Sequence, residues 1–169
     1  MTSRSQIFEN LVREHEHRVR RFVAVSIDNQ SILEDIVQEV FLTAWKKIDQ
    51  LATFEQRAVF PWLCGTASRH LSNHRRSVRR RDGKLLRFGT DNSLNHAEVS
   101  GPESTSISID VLRALHKLPP DARMTILLVL WDDAGPKEIA VAMQCSQSAA
   151  AKRIQRAMGM LREEYSQDD

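Results

Sequence analysis

Apolar residues recur at spacings of three and four along most of the chain, and no stretch sustains the two-residue alternation of a half-buried strand. The expected fold class is therefore all-α. Ile7, Phe8, Leu11, Val12, Val19, Phe22 and Val23 mark one amphipathic helix over about 7–27. A second begins near Ser31, read as an N-cap whose capping box is completed by Glu34, and runs to about Ile48. Its buried stripe is Leu33, Ile36, Val37, Val40, Phe41, Ala44 and Ile48. A third spans 59–81, with Pro61 expected in its first turn, where a missing N–H costs little.

Between 82 and 108 the periodicity gives way to glycine, asparagine, serine and proline, the composition of a flexible linker. It resumes at Ile109 and is broken by Pro119-Pro120. Helices then follow over 121–131, 136–143 and 147–164. The chain thus divides into a helical domain at 1–81, a linker at 82–108 and a second helical domain at 109–169.

Composition narrows the class. With 41% hydrophobic and 27% charged residues, the 169-residue chain has the make-up of a globular protein. Its apolar runs, such as 126–131, fall far short of the roughly 20 residues of a membrane span. The N-terminus lacks the apolar core and cleavage site of a signal peptide, so a cytoplasmic protein without a membrane partner is expected. Cys64 and Cys145 stand far apart with no CxxC and read as small buried hydrophobes.

A net charge of +2 hides an uneven distribution: residues 69–87 carry eight Lys and Arg against the single acid Asp82. The rest of the chain is mildly acidic. One basic block of this kind is the electrostatic footprint of a polyanion partner, although an arginine run alone also suits a solvated face.

Three constellations carry chemistry. The first is the pair of helices at 136–143 and 147–164, separated by Gln144-Cys145-Ser146, a helix-turn-helix layout. On the second helix Ala150, Ile154, Ala157, Met158 and Leu161 share an apolar sector. Ser148, Ala149, Lys152, Gln155, Arg156 and Gly159 lie opposite, with Arg153 flanking them. Small residues there would let the helix approach a major groove, and Lys152, Arg153 and Arg156 could reach phosphates or guanine edges. An ordinary αα-hairpin with a solvated face is the alternative.

The second constellation is the basic helix end, with Arg69, Asn73, Arg75, Arg76, Arg79 and Arg80 as candidate DNA contacts, because the guanidinium fork bonds phosphate bidentately. Phe60 and Trp62 lie just upstream. Trp62 could wedge against an unpaired base, but core packing is the favoured reading for it. His70 and His74, four apart, lack the glutamate of HExxH and lie among cationic side chains, so no metal is expected. The third constellation is a polar face on the second helix, where Asp35, Gln38, Glu39 and Lys46 surround Leu42. An apolar residue ringed by hydrogen-bonding groups has the composition of a protein docking patch. No phosphate loop, nucleophile motif or paired carboxylate cleft is present in the sequence, so neither enzyme activity nor a cofactor is expected.

These stretches together resemble the extracytoplasmic-function group of bacterial sigma factors, the smallest promoter-recognition subunits of RNA polymerase. Leu33-Glu-Asp-Ile-Val-Gln-Glu-Val-Phe-Leu-Thr-Ala-Trp45 is similar to the family's polymerase-clamp helix. Trp62-Leu-Cys-Gly-Thr-Ala, with Asn73-His-Arg-Arg76 and Arg79-Arg-Arg81, is similar to its promoter-melting helix. Leu118-Pro-Pro-Asp-Ala-Arg123, Cys145-Ser146 and Lys152-Arg-Ile-Gln-Arg-Ala157 resemble the domain that reads the upstream promoter element. Ala151, Met158 and Met160 stand where basic residues are common in the family, and Val59 where phenylalanine is common.

The resemblance implies a sigma factor that binds core RNA polymerase, through the β and β′ subunits, and promoter DNA, with an anti-sigma factor as a further candidate partner. The alternative is a stand-alone helix-turn-helix regulator, which would have no need of the patch around Asp35 and Gln38.

Overall fold

A computed structural model describes residues 3–27, 29–82 and 108–166. The first helix, α1 (Arg4–Ser26), starts where the Ser3 hydroxyl accepts from the Gln6 N–H and ends at extended Ile27. It buries Leu11, His15, Val19, Phe22 and Val23 on one face. A short 3-10 turn, Gln30–Ile32, then leads into α2 (Leu33–Lys46). Ser31 is therefore not the N-cap its spacing suggests: the Asn29 side chain accepts from the Ser31 N–H, and Ser31 sits inside the turn. Ile36, Val37, Val40, Phe41 and Ala44 form the buried stripe of α2, with Leu33 half-buried. Ile48 is buried too, but belongs to a separate short helix, α3 (Ile48–Leu51).

The longest element is α4 (Gln56–Asp82). Because it begins three residues earlier than the sequence suggests, Pro61 lies beyond its first turn. The proline ring removes the bond that would run to the Arg57 carbonyl, at an exposed end of the helix. Phe60, Trp62, Leu63, Cys64, Ala67 and Leu71 are buried, so Trp62 is a core residue. The expected linker lies outside the described residues except at its two ends. At the second of these, the Ser108 hydroxyl caps α5 (Ile109–Lys117) by accepting from the Val111 N–H.

Three helices complete the chain: α6 (Pro120–Asp132), α7 (Pro136–Met143) and α8 (Gln147–Ser166). Proline opens both α6 and α7, at positions where an N–H would be unpaired. The last two form the helix-turn-helix. Gln144 ends α7 in the left-handed region (φ 52°), and the Cys145 N–H returns to the Ala140 carbonyl. The Ser146 hydroxyl then accepts from Ala149 N–H to start α8.

Every residue over 123–128 in α6 is buried. A helix covered all round must be sandwiched, and α6 packs against α8 on one side and against α1 and α4 of the first half. The buried apolar residues of the two halves consequently form one continuous cluster, from Leu11 to Ala157. Within it lies one arginine, Arg123, 5% exposed. Its Nε donates to the Leu115 carbonyl at 2.9 Å, Nη2 to His116 at 2.8 Å and to Leu118 at 3.4 Å, and Nη1 to Ser26 at 3.3 Å. A guanidinium thus serves carbonyls at the C-terminal ends of α5 and α1, that of Leu115 also accepting from the Leu118 N–H, where the helix dipoles favour a cation.

Candidate functional site

Three surfaces correspond to the three constellations. On α2, Asp35, Gln38, Glu39, Leu42 and Lys46 are all exposed, and Leu42 presents 49% of its surface. Trp45, one turn further, is 36% exposed; it meets Phe8 edge-on with ring centroids 5.2 Å apart and lies under the Arg4 guanidinium at 5.3 Å. The apolar spot is thus larger than Leu42 alone. The signal for Trp45 was its i+3 spacing from Leu42. His70 of α4 supports the same helix from behind, its Nε2 3.0 Å from the Thr43 hydroxyl and its Nδ1 3.9 Å from Glu39. Burial holds His70 below the ordinary histidine value, with Glu39 opposing and Arg69 reinforcing that shift.

The basic end of α4 divides into two groups. Asn73, Arg76, Arg79 and Arg80 are exposed, an open cationic edge. Arg80 bonds within its own helix, donating from Nε to the Arg76 carbonyl at 3.3 Å, whereas two other candidates, exposed Arg69 and half-buried Arg75, bond to other helices. Arg75 donates to the Ser26 carbonyl at 2.9 Å, joining Arg123 at the end of α1. Arg69 donates from Nη1 to the Ala142 carbonyl of α7 at 3.3 Å and from Nη2 to the Thr66 hydroxyl at 2.9 Å. Arg69, Asn73 and Arg76 face Arg153 across a cleft of about 380 Å³ between α4 and the helix-turn-helix.

On α8 the polar face forms as the angular spacing predicts. Ser148, Lys152, Arg153, Gln155 and Arg156 are exposed, and Ala150 and Ala157 are buried with Ile154, Met158 and Leu161 beside them. A Cβ placed on Gly159 would meet nothing within 4 Å, so the face is open there. Arg153 also approaches the Met143 sulfur at 3.4 Å. No group of three or more His, Cys, Asp and Glu side chains that could hold a metal occurs among the described residues. Cys64 is buried and its thiol is pushed up by burial, which suppresses the reactive thiolate; Cys145 is half-buried.

The region 2 model of sigma-70 matches residues 11–81, and the region 4 model of sigma-70 matches residues 108–161. RNA polymerase sigma factor CarQ of Myxococcus xanthus is 30% identical, the match covering 92% of this chain and 87% of CarQ. ECF RNA polymerase sigma factor SigE of Mycolicibacterium smegmatis is 27% identical, over 92% of this chain and 60% of SigE. Among solved structures, sigma factor RpoE of Bartonella quintana, in complex with the anti-sigma factor NepR, superposes with a TM-score of 0.68. It shares 21% identity, and the match covers 96% of this chain and 98% of that one. CnrH, in complex with the cytosolic domain of CnrY, gives a TM-score of 0.60 at 21% identity, over 96% and 89% of the two chains.

The all-α fold and these matches define an RNA polymerase sigma factor, a subunit that directs promoter-specific transcription. Within that class the chain belongs to the extracytoplasmic-function group.

Proposed function

We propose that the α2 face of Asp35, Gln38, Glu39 and Leu42 docks on core polymerase, that α4 helps to melt the downstream promoter element, and that α8 reads the upstream element. Arg76, Arg79, Arg80 and Asn73 supply the open edge of α4, with Arg69 and Arg75 joining them if their protein partners are released. Ser148, Lys152, Arg153, Gln155 and Arg156 supply the reading face of α8. Binding energy from arginine–phosphate contacts can offset the few kcal/mol of unstacking a base. The chain acts by binding and performs no catalysis of its own. Among the described residues no helix is long and apolar enough to cross a membrane, and the cytoplasm, where polymerase works, is the proposed location. The RpoE structure is a complex with an anti-sigma factor, and a partner of that kind for this chain is part of the same reading.

The observation that carries the docking assignment is Leu42, half-exposed within a ring of charged and amide groups beside Trp45. A stand-alone repressor would gain nothing from exposing it. Asp35→Arg combined with Leu42→Asp is expected to abolish co-purification with core polymerase while the helical circular dichroism stays unchanged, since neither side chain is in the core. Retained core binding by that folded double variant would remove α2 from the docking surface.

A further inference from the structure

One wall of the cleft between α4 and the helix-turn-helix is a single face of α4, where Gly65, Ser68, Arg69, Ser72, Asn73 and Arg76 recur at spacings of three and four. The other wall carries Gln144 and Arg153. Gly65 sets how closely the walls approach. A Cβ there would sit 2.0 Å from the Ala142 carbonyl oxygen, so α4 and α7 meet backbone to backbone at that point. The recess of about 380 Å³ is within the size range of small-molecule sites and far too small for a nucleic-acid duplex.

Charge in this cleft is out of balance. Elsewhere arginines pair with carboxylates: Arg18 with Asp132, Arg20 with Glu16 and Glu34, Arg113 with Asp110. Among the described residues no carboxylate pairs with Arg69, Arg76 or Arg153, although Asp121 lines the same cleft. Arg69 bonds only neutral oxygens, those of the Ala142 carbonyl and the Thr66 hydroxyl. Two further donors are turned to methionine sulfurs: the Ser68 hydroxyl lies 3.0 Å from Met124 Sδ, and Arg153 Nη1 lies 3.4 Å from Met143 Sδ. A thioether is a weak acceptor, so an anion entering the cleft could take over both bonds at little cost. It would also relieve the mutual repulsion of three cations converging on one recess.

The donor set indicates which anion fits. A guanidinium fork bonds phosphate bidentately, and a phosphate monoester brings about −1.5 to −2 charge at neutral pH with more acceptor oxygens than a carboxylate has. Three forks around one recess match a phosphate or diphosphate better than a lone carboxylate. Ser72, Asn73 and Gln144, which line the same cleft, can bond the hydroxyl groups of a ligand body. No aromatic side chain is among the described lining residues, so a nucleobase would find no stacking platform. We propose that this cleft binds a small, non-aromatic phosphorylated molecule, its phosphate or diphosphate held by Arg69, Arg76 and Arg153 and its hydroxyl groups by Ser72, Asn73 and Gln144.

The test is calorimetric titration of the full chain with inorganic pyrophosphate at fixed ionic strength. One saturable site is expected, with weaker binding of inorganic phosphate and none of acetate. Arg76→Gln with Arg153→Gln should weaken pyrophosphate binding by roughly tenfold for each guanidinium lost. Arg13→Gln with Arg162→Gln removes the same charge from exposed positions outside the cleft and should leave the affinity unchanged. Ser72→Phe fills the cleft without altering charge and should abolish binding, with circular dichroism confirming its fold. Should that variant fail to fold, the exposed Arg76 and Arg153 still decide the matter. Absence of a saturable site, equal affinity for acetate, or equal losses in the two double variants would overturn the proposal, the last by reducing these arginines to a diffuse attraction for anions. Adenosine diphosphate should bind no more tightly than pyrophosphate, and a gain of about tenfold would overturn the exclusion of a nucleobase. Because neither polymerase nor DNA enters the titration, failure here leaves the sigma-factor assignment standing.

Discussion

Arg123→Ala is expected to lower stability by about 3–5 kcal/mol, the range for removing one partner from a buried charged network. The substitution strips the guanidinium from the carbonyls of Leu115, His116, Leu118 and Ser26 at once. Hydrogen bonds to a charged group contribute roughly 1.5–3 kcal/mol each when fully formed, and a carbonyl left buried adds its desolvation cost. Urea unfolding followed by circular dichroism measures the loss. Arg123→Lys should recover only part of it, because one ammonium cannot span the ends of two helices as the planar fork does. A loss below about 1 kcal/mol for the alanine variant would mean that water replaces the guanidinium freely, contrary to a residue only 5% exposed.

Replacing Lys152, Arg153 and Arg156 together by alanine is expected to abolish specific binding of the polymerase complex at the upstream promoter element. All three are exposed on one side of α8 and none serves the core. A side chain that neutralises a phosphate should, when truncated, reduce the log–log salt slope by about 0.9. If Arg156 instead bonds a guanine bidentately, Arg156→Ala alone should cost about 1–3 kcal/mol and relax preference at one base pair. Binding titrations at several salt concentrations separate the two roles. Promoter binding indifferent to the triple substitution would reduce the helix pair to an αα-hairpin with a solvated face.

Helical periodicity made most of this fold legible. The stripes on α1, α2 and α8 and the break at residues 144–146 follow from spacing alone, because each helix buries one face and solvates the other. The exceptions have local causes. Ser31 carries the residue type of an N-cap, but Asn29 intercepts its N–H and moves the start of α2 to Leu33. Pro61 suits a first turn, yet the helix extends upstream to Gln56 because the bond it removes lies at an exposed end.

The surfaces were legible where function needs exposure and obscure where it depends on distant partners. Leu42 is conspicuous as an apolar residue among charges, and Lys152 and Arg156 as cations opposite an apolar sector. Nothing in the sequence pairs Arg18 with Asp132, and no local rule distinguishes Arg69 and Arg75, which bond to carbonyls of other helices, from Arg76, Arg79 and Arg80 on the open edge. The run over 124–128, apolar but for Thr125, did hold a hint, since a helix buried all round requires cover from both halves. Arg123, at the head of that run after Pro119-Pro120, is a cation with no solvent face to occupy.

The chain is expected to confer promoter selection on a polymerase. Purified core RNA polymerase, with and without the full-length chain, can be assayed for run-off transcription on a library of duplex promoters. Initiation from a restricted promoter set only when the chain is present, and its loss with Asp35→Arg/Leu42→Asp, is the predicted result. Sequence-specific DNA binding by the chain alone, with no initiation from any template when core polymerase is added, would contradict the account.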